Sequence, residues 1–191
     1  MGDIKSSYEL AMERLKDLPS DKEGLRIHRL KDQGKRLLAA MRKDSRMNVA
    51  AAFPKGPDEV HVKEGFLEAL LANIVLPANE EQMKELSLIR KGFSFIVKRE
   101  DSMISFFAQL EELFQYYLQN TRNAEESLKD QFTHIIRQKE QMLEKQGMRV
   151  NIDVTKLPEF IEQLRTHRRE IQRRSEPVLN DLKKSLRQLV W

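Results

Sequence analysis

The chain has 191 residues, 40% hydrophobic and 34% charged, with a net charge of +4 and no cysteine. Disulfides, thiolate catalysis and cysteine-based zinc sites are therefore excluded. The scarcity of breakers, 7 glycines and 6 prolines, disfavours a turn-rich β sandwich and favours long helices in one domain or a domain with an arm.

Ile4, Tyr8, Ala11, Leu15 and Leu18 fall at helical spacing and predict a first helix over about 3–18, stopped before Pro19. No apolar run follows a basic stretch at the start, so no secretory signal is expected, and Gly2 with Ser6 reads as an ordinary start rather than an acylation site. Ser20 and Glu23 form a capping box for a second helix to about residue 43. Leu25, Leu30, Leu37, Leu38 and Met41 supply its apolar positions, and Gly24 and Gly34 weaken it. Residues 21–47 hold nine basic groups against four acidic ones. So thin a stripe buries little by itself, and Leu30, Leu37, Leu38 and Met41 are expected to dock on a protein partner or a second copy.

Residues 44–60 read as a connection, with Pro54-Lys55-Gly56-Pro57 the strongest breaker cluster. It divides a helical N-terminal arm and linker, 1–57, from a helical bundle domain, 58–191. A third helix is expected over about 62–75 and should be buried, because Phe66, Leu67, Leu70, Leu71, Ile74 and Val75 make a broad apolar face. The stretch from Phe66 to Leu76 falls short of the roughly 20 apolar residues a membrane span needs, so no membrane insertion is expected. Asn79 and Gln82 then cap a helical pattern that runs to Gly147. Lys98 to Ser102 leaves open whether this stretch is one bent helix or two.

Within it lies the strongest pattern in the chain. Met103, Phe107, Leu110, Phe114, Tyr117, Thr121, Ala124, Leu128, Gln131, Ile135, Gln138 and Met142 follow at alternating steps of four and three. That spacing keeps side chains on one helical stripe and predicts a coiled-coil-like seam. Aromatic residues from Phe93 to Tyr117 place this segment at the centre of the bundle. Adjacent pairs there cover more than one stripe, which makes Phe106 and Tyr116 candidate docking residues.

Met148, Val150, Ile152 and Val154 alternate with polar residues, predicting an extended segment that either pairs with Val60-His61-Val62 or serves as a linker. A last helix starts at Pro158 and carries a 4-3 pattern from Leu157 to Leu189, with a kink expected at Pro177. If residue 146 lies opposite residue 158, paired positions of the hairpin sum to about 304. Trp191 would then fall near Leu113, against the aromatic cluster.

Chemistry-bearing motifs are absent from the pattern. Gly34-Lys35 lacks both the first glycine and the Ser/Thr of a phosphate loop. The residues three before His28, His61, His134 and His167 are Leu25, Asp58, Gln131 and Leu164, so no Glu-x-x-His pair exists. No nucleophile elbow is present. The protein is accordingly expected to be non-enzymatic, with no catalytic residue, cofactor or metal. The arginines between Arg165 and Arg174 do not form one stripe, and Glu162, Glu170 and Glu176 lie within pairing distance along the helix. A nucleic-acid surface using Arg165, Arg169 and Arg173 is the alternative reading.

The opening Gly2-Asp3-Ile4-Lys5-Ser6-Ser7, followed by Glu9-Leu10-Ala11-Met12-Glu13-Arg14, resembles the start of a group of small uncharacterised bacterial helical proteins with no assigned activity. The resemblance implies a cytoplasmic bacterial setting and transfers no functional residue. The expected fold is all-α: a long helical hairpin with a coiled-coil-like seam, a short apolar helix and a basic N-terminal helical arm. The expected function is that of a scaffold, adaptor or assembly subunit acting through helix surfaces. The alternative is a basic helical protein bound to RNA, DNA or a ribosomal surface.

Overall fold

A computed structural model describes residues 22–44, 46–148 and 150–190. The first predicted helix, the Ser20 cap, the residues of the bacterial resemblance and Trp191 lie outside the described residues. The rest is all-α: α1 (Lys22–Lys43), α2 (Asp58–Asn73), α3 (Glu80–Ser94), α4 (Glu100–Lys145) and α5 (Pro158–Gln188). Short 3-10 turns at Val49–Ala52 and Val154–Lys156 complete the described elements, with no strand among them.

α1 and α2 run parallel. Arg26 pairs with Asp58 at 2.6 Å, Lys31 with Glu64 at 3.0 Å, and Arg42 with Asn73 at 2.8 Å, so the partner number rises with the residue number. Two glycines set how closely they approach. A Cβ placed on Gly34 would collide with the Val62 carbonyl oxygen, and one on Gly65 would collide with the Lys31 carbonyl oxygen. Gly34 is thus the crossing point of two helices, and its cost of about 1 kcal/mol in helix propensity is offset by backbone contact. The charge excess of α1 is answered by acids on α2: Lys31 also reaches Glu68 at 3.5 Å, and Lys35 reaches it at 3.6 Å. The hydrogen bond to Glu64 raises the Lys31 ammonium above the ordinary lysine range. These exposed or half-exposed pairs fix register more than they add stability.

Parallel packing requires the connection to return along α1. It does so through buried Val49 and through Phe53, whose ring meets Phe66 edge-on at 5.9 Å. The segment expected as a separate arm therefore shares one core with the later helices: Leu37, Leu38 and Met41 cluster with Phe66, Phe93, Phe107 and Leu186. The Pro54–Pro57 cluster is a corner within that packing. Each fully buried phenylalanine here contributes about 1.5–3 kcal/mol by leaving water.

Asn79 starts α3 as expected. Its side chain accepts from the Gln82 amide at 3.0 Å, while Gln82 Oε1 accepts from the Ala78 amide at 2.8 Å. Residues 95–99 break the helix, so the stretch from 80 to 145 is two helices. α3 folds back antiparallel along the first half of α4, bringing Phe93 to Phe107 at 5.5 Å and Glu80 to Arg122 at 2.7 Å. α4 has 46 residues, about 69 Å at the standard rise. Beyond Arg122 it is flanked mainly by α5 and the connection between them.

The hairpin register differs from the expected one. Arg168 meets Glu125 at 2.7 Å and Phe160 meets Phe132 at 5.6 Å, so paired positions sum to 293 and 292 rather than about 304. The cause is the connection. Instead of extending outward, it runs back along α4, where the Ile152 amide donates to Glu140 Oε1 at 2.9 Å and Val154 is buried beside Leu128 and Ile136. No ladder forms with Val60-His61-Val62, which lie inside α2. The shift carries the end of α5 to the start of α4, where Leu186 and Val190 join Met103 and Phe107 in the core. α5 runs through Pro177 to Gln188 as one helix, although that residue cannot donate a backbone hydrogen bond.

The seam is also corrected. Met103, Phe107, Leu110, Phe114 and Leu128 are buried, but so are Leu118 and Ile136, while Gln131, Ile135, Gln138 and Met142 are exposed. A strict seven-residue repeat drifts by about 20° per heptad on a straight helix, whereas spacing close to 3.6 residues per turn holds its face. The buried series from Met103 to Ile136 keeps closer to the helical period, and so it leaves the 4-3 series first at Leu118, in place of Tyr117, rejoins it at Leu128 and leaves it again at Ile136.

Two cores result. The larger joins α1, α2, α3, the first half of α4 and the end of α5. The smaller, of Leu128, Ile136, Val154 and Phe160 with Phe132, Ile152, Leu157 and Leu164, holds the far end of the hairpin.

Gly34→Ala and Gly65→Ala should each lower stability by about 1–3 kcal/mol despite alanine's better helix propensity, because backbone must move. Thermal unfolding checks this, and unchanged or raised melting temperatures would mean the two helices approach less closely. Leu128→Asp should open the far hairpin while the larger core survives. Hydrogen exchange would then lose protection over 122–165 and keep it at Phe66, Phe93 and Phe107.

Candidate interaction surface

The docking residues expected on the basic helix are spent internally. Leu37 and Leu38 are buried, Met41 is fully so, and Leu30 is partly buried against the same core. The thin stripe is sufficient because α2, with glycine at the contact, comes close enough to use it. Leu37, Leu38 and Met41 therefore present no free face, whereas Leu30 keeps part of its surface exposed in a groove beside Leu25. Phe106 is likewise partly buried against the larger core. Tyr116 is 65% exposed and remains a surface residue. It borders a groove of about 270 Å³ with Asn120, His167 and Ile171, floored by the small side chains Ala124 and Ser175.

Arg165, Arg169 and Arg173 are exposed, as expected, and make no ion pair or hydrogen bond among the described residues. The arginines beside them do: Arg168 is tied to Glu125 across the hairpin and Arg174 to Glu170 along it. Of the carboxylates expected to neutralise the row, Glu170 is taken by Arg174 and Glu176 accepts from Gln172 at 2.7 Å, while Glu162 makes no ion pair with it.

A surface that the sequence pattern did not indicate lies at the far end of the hairpin. Because α5 begins beside the Phe132 region, the returning connection is what covers the last turns of α4 among the described residues. Ile135 is 47% exposed, Met142 62%, Met148 48% and Val150 46%. Two of these belong to the 4-3 series, and the signal that could have exposed them was its drift from the true helical period.

A second feature lies where the turn after α2 meets α4 and α5. A cleft of about 500 Å³ is walled by Ile74, Val75, Leu76 and Leu179 and carries Tyr117, Gln172, Glu176, Asn180 and Lys183. Burial lowers the Lys183 ammonium below the ordinary lysine range, and no ion pair offsets this among the described residues. No group of three histidine, aspartate or glutamate side chains among the described residues could hold a metal ion, and no described helix is long and apolar enough to cross a membrane.

These features define an all-α protein whose helical head carries a projecting two-helix arm. By sequence, the chain belongs to DUF6657, a family of unknown function whose model matches residues 50–188. That stretch takes in α2 to α5, including the whole hairpin, and omits α1. No curated protein and no solved structure matches the chain.

Lys183 should titrate below 10.5, as followed by competitive acetylation across a pH series. A depressed lysine binds its proton less tightly folded than unfolded. Its stability cost is therefore present at neutral pH and relieved as pH rises through the lowered value toward 10.5. A Lys183 titration matching exposed Lys184 would show that the cleft does not desolvate it.

Proposed function

We propose that the protein is a non-enzymatic helical interaction protein, a scaffold or adaptor that presents the far end of the α4–α5 hairpin to a protein partner in the cytoplasm. The observation that carries this reading is the exposure of Ile135, Met142, Met148 and Val150 at the end of the hairpin away from the larger core. Methionine adapts its shape to varied surfaces, and apolar side chains grouped at the end of an arm suit docking better than solvation. The smaller core supports the same reading, since it fixes the arm's end independently of the head.

A second reading rests on the unpaired row Arg165, Arg169 and Arg173, whose four-residue steps set charges about 6 Å apart along the helix. Such a row suits phosphates of RNA or DNA. Salt separates the two, because phosphate binding weakens steeply with ionic strength while apolar docking responds little.

Cross-linking in host cells tests the proposal. The double variant Ile135→Glu with Met142→Glu should keep its melting temperature, both positions being exposed, and lose cross-links formed through Lys139 and Lys145. Replacing Arg165, Arg169 and Arg173 by alanine should leave them intact. The opposite pattern, with binding abolished at about 0.5 M salt, would favour the nucleic-acid reading.

A further inference from the structure

We propose that the cleft between the 74–76 turn, α4 and α5 binds a small monocarboxylate with a short aliphatic chain, held by Lys183, Asn180 and Tyr117. Its volume, about 500 Å³, lies within the range of ligand clefts. Several of the polar groups that line it are free to bond a ligand. The Lys183 ammonium, the Asn180 amide and the Tyr117 hydroxyl have no hydrogen-bond or ion-pair partner among the described residues. The cleft's one carboxylate, Glu176, is already engaged by Gln172 at 2.7 Å. Asn180 and Tyr117 can each donate or accept, but the ammonium can only donate, so the ligand group that faces Lys183 is an acceptor.

Charge narrows the class. Lys183 is partly withdrawn from water without a counter-ion, and a bound anion would supply one. Glu176 on the same wall opposes a second negative charge, which favours a monoanion over phosphate or a dicarboxylate. Shape supplies the rest. Buried Ile74 and Leu179 line the wall with Leu76, and Val75 stands 56% exposed at it, offering apolar surface to an aliphatic chain. A carboxylate over Lys183 and Asn180 can therefore lay its chain against Val75 and Leu76. Neither the hairpin end nor the arginine row takes part, so this inference stands apart from the proposed function.

Octanoate is the probe, titrated into the full-length protein and followed by amide chemical shifts and calorimetry. Saturable binding should perturb amides at 74–76, at Tyr117 and at 176–183. Lys183→Met should weaken it at least about tenfold, whereas Lys183→Arg should largely retain it. Both variants replace a partly exposed side chain, and circular dichroism verifies their fold. Inorganic phosphate and 1-octanol separate the two parts of the claim. Phosphate binding as tight as octanoate would overturn the aliphatic component, and equal binding of octanol would overturn the role of Lys183. No shift changes in the cleft at millimolar octanoate, or changes confined to the hairpin end, would overturn the site altogether.

Discussion

Backbone contact between α1 and α2 is the constraint on which the head depends. Gly34 and Gly65 face each other's helices with no side chain between, so the two axes meet more closely than ordinary ridge-and-groove packing permits. That proximity lets a helix with few apolar residues contribute Leu37, Leu38 and Met41 to a common core. It also brings the lysines and arginines of α1 within reach of Asp58, Glu64 and Glu68, where they hold the parallel register. A side chain at either glycine would separate these contacts together, because they share one crossing point.

From that pair the rest is built by antiparallel addition. α3 turns back on α2 and α4 turns back on α3, and the end of α5 closes the core with Leu179, Leu182, Leu186 and Val190. Only about half of α4 is needed for this. The remainder projects with its partner and needs apolar material of its own, supplied by the edge-on pair Phe132 and Phe160 and by the returning connection. Between the two cores the hairpin interface is less apolar, with Thr121, Ala124 and Ser175 and the Arg168–Glu125 pair. The arm can therefore loosen without opening the head.

Helix positions are legible in the sequence because capping and periodicity are local. Asn79 and Gln82 announce α3, Pro158 announces α5, and the aromatic stretch from Phe93 to Phe114 lies in the core as its spacing implies. What fails depends on distance. Gly34 looks like a weakness until Val62 is placed beside it, and nothing local to either residue announces the other. The alternation of Ile152 and Val154 reads as an extended segment. Its direction along α4 comes from the Glu140 hydrogen bond and shifts the whole register. The seam slips by one residue at Leu118 and fails beyond Leu128 because a heptad and a straight helix diverge slowly, so the error is largest near Ile135 and Met142. The Lys183 cleft is illegible, since its walls come from three elements far apart in sequence.

The order in which the core residues occur along the chain has a consequence for synthesis. α1, α2 and α3 leave the ribosome first, with Phe66, Leu70 and Phe93 already among them, but Leu186 and Val190, which close over Phe107, emerge only after the whole hairpin. A nascent chain therefore carries an apolar face with no cover while residues 100–178 are being made. The exposed interval scales with elongation rate, and general holdase chaperones are the natural protection for it. Variation in codon speed across the hairpin would then change yield without changing the folded molecule.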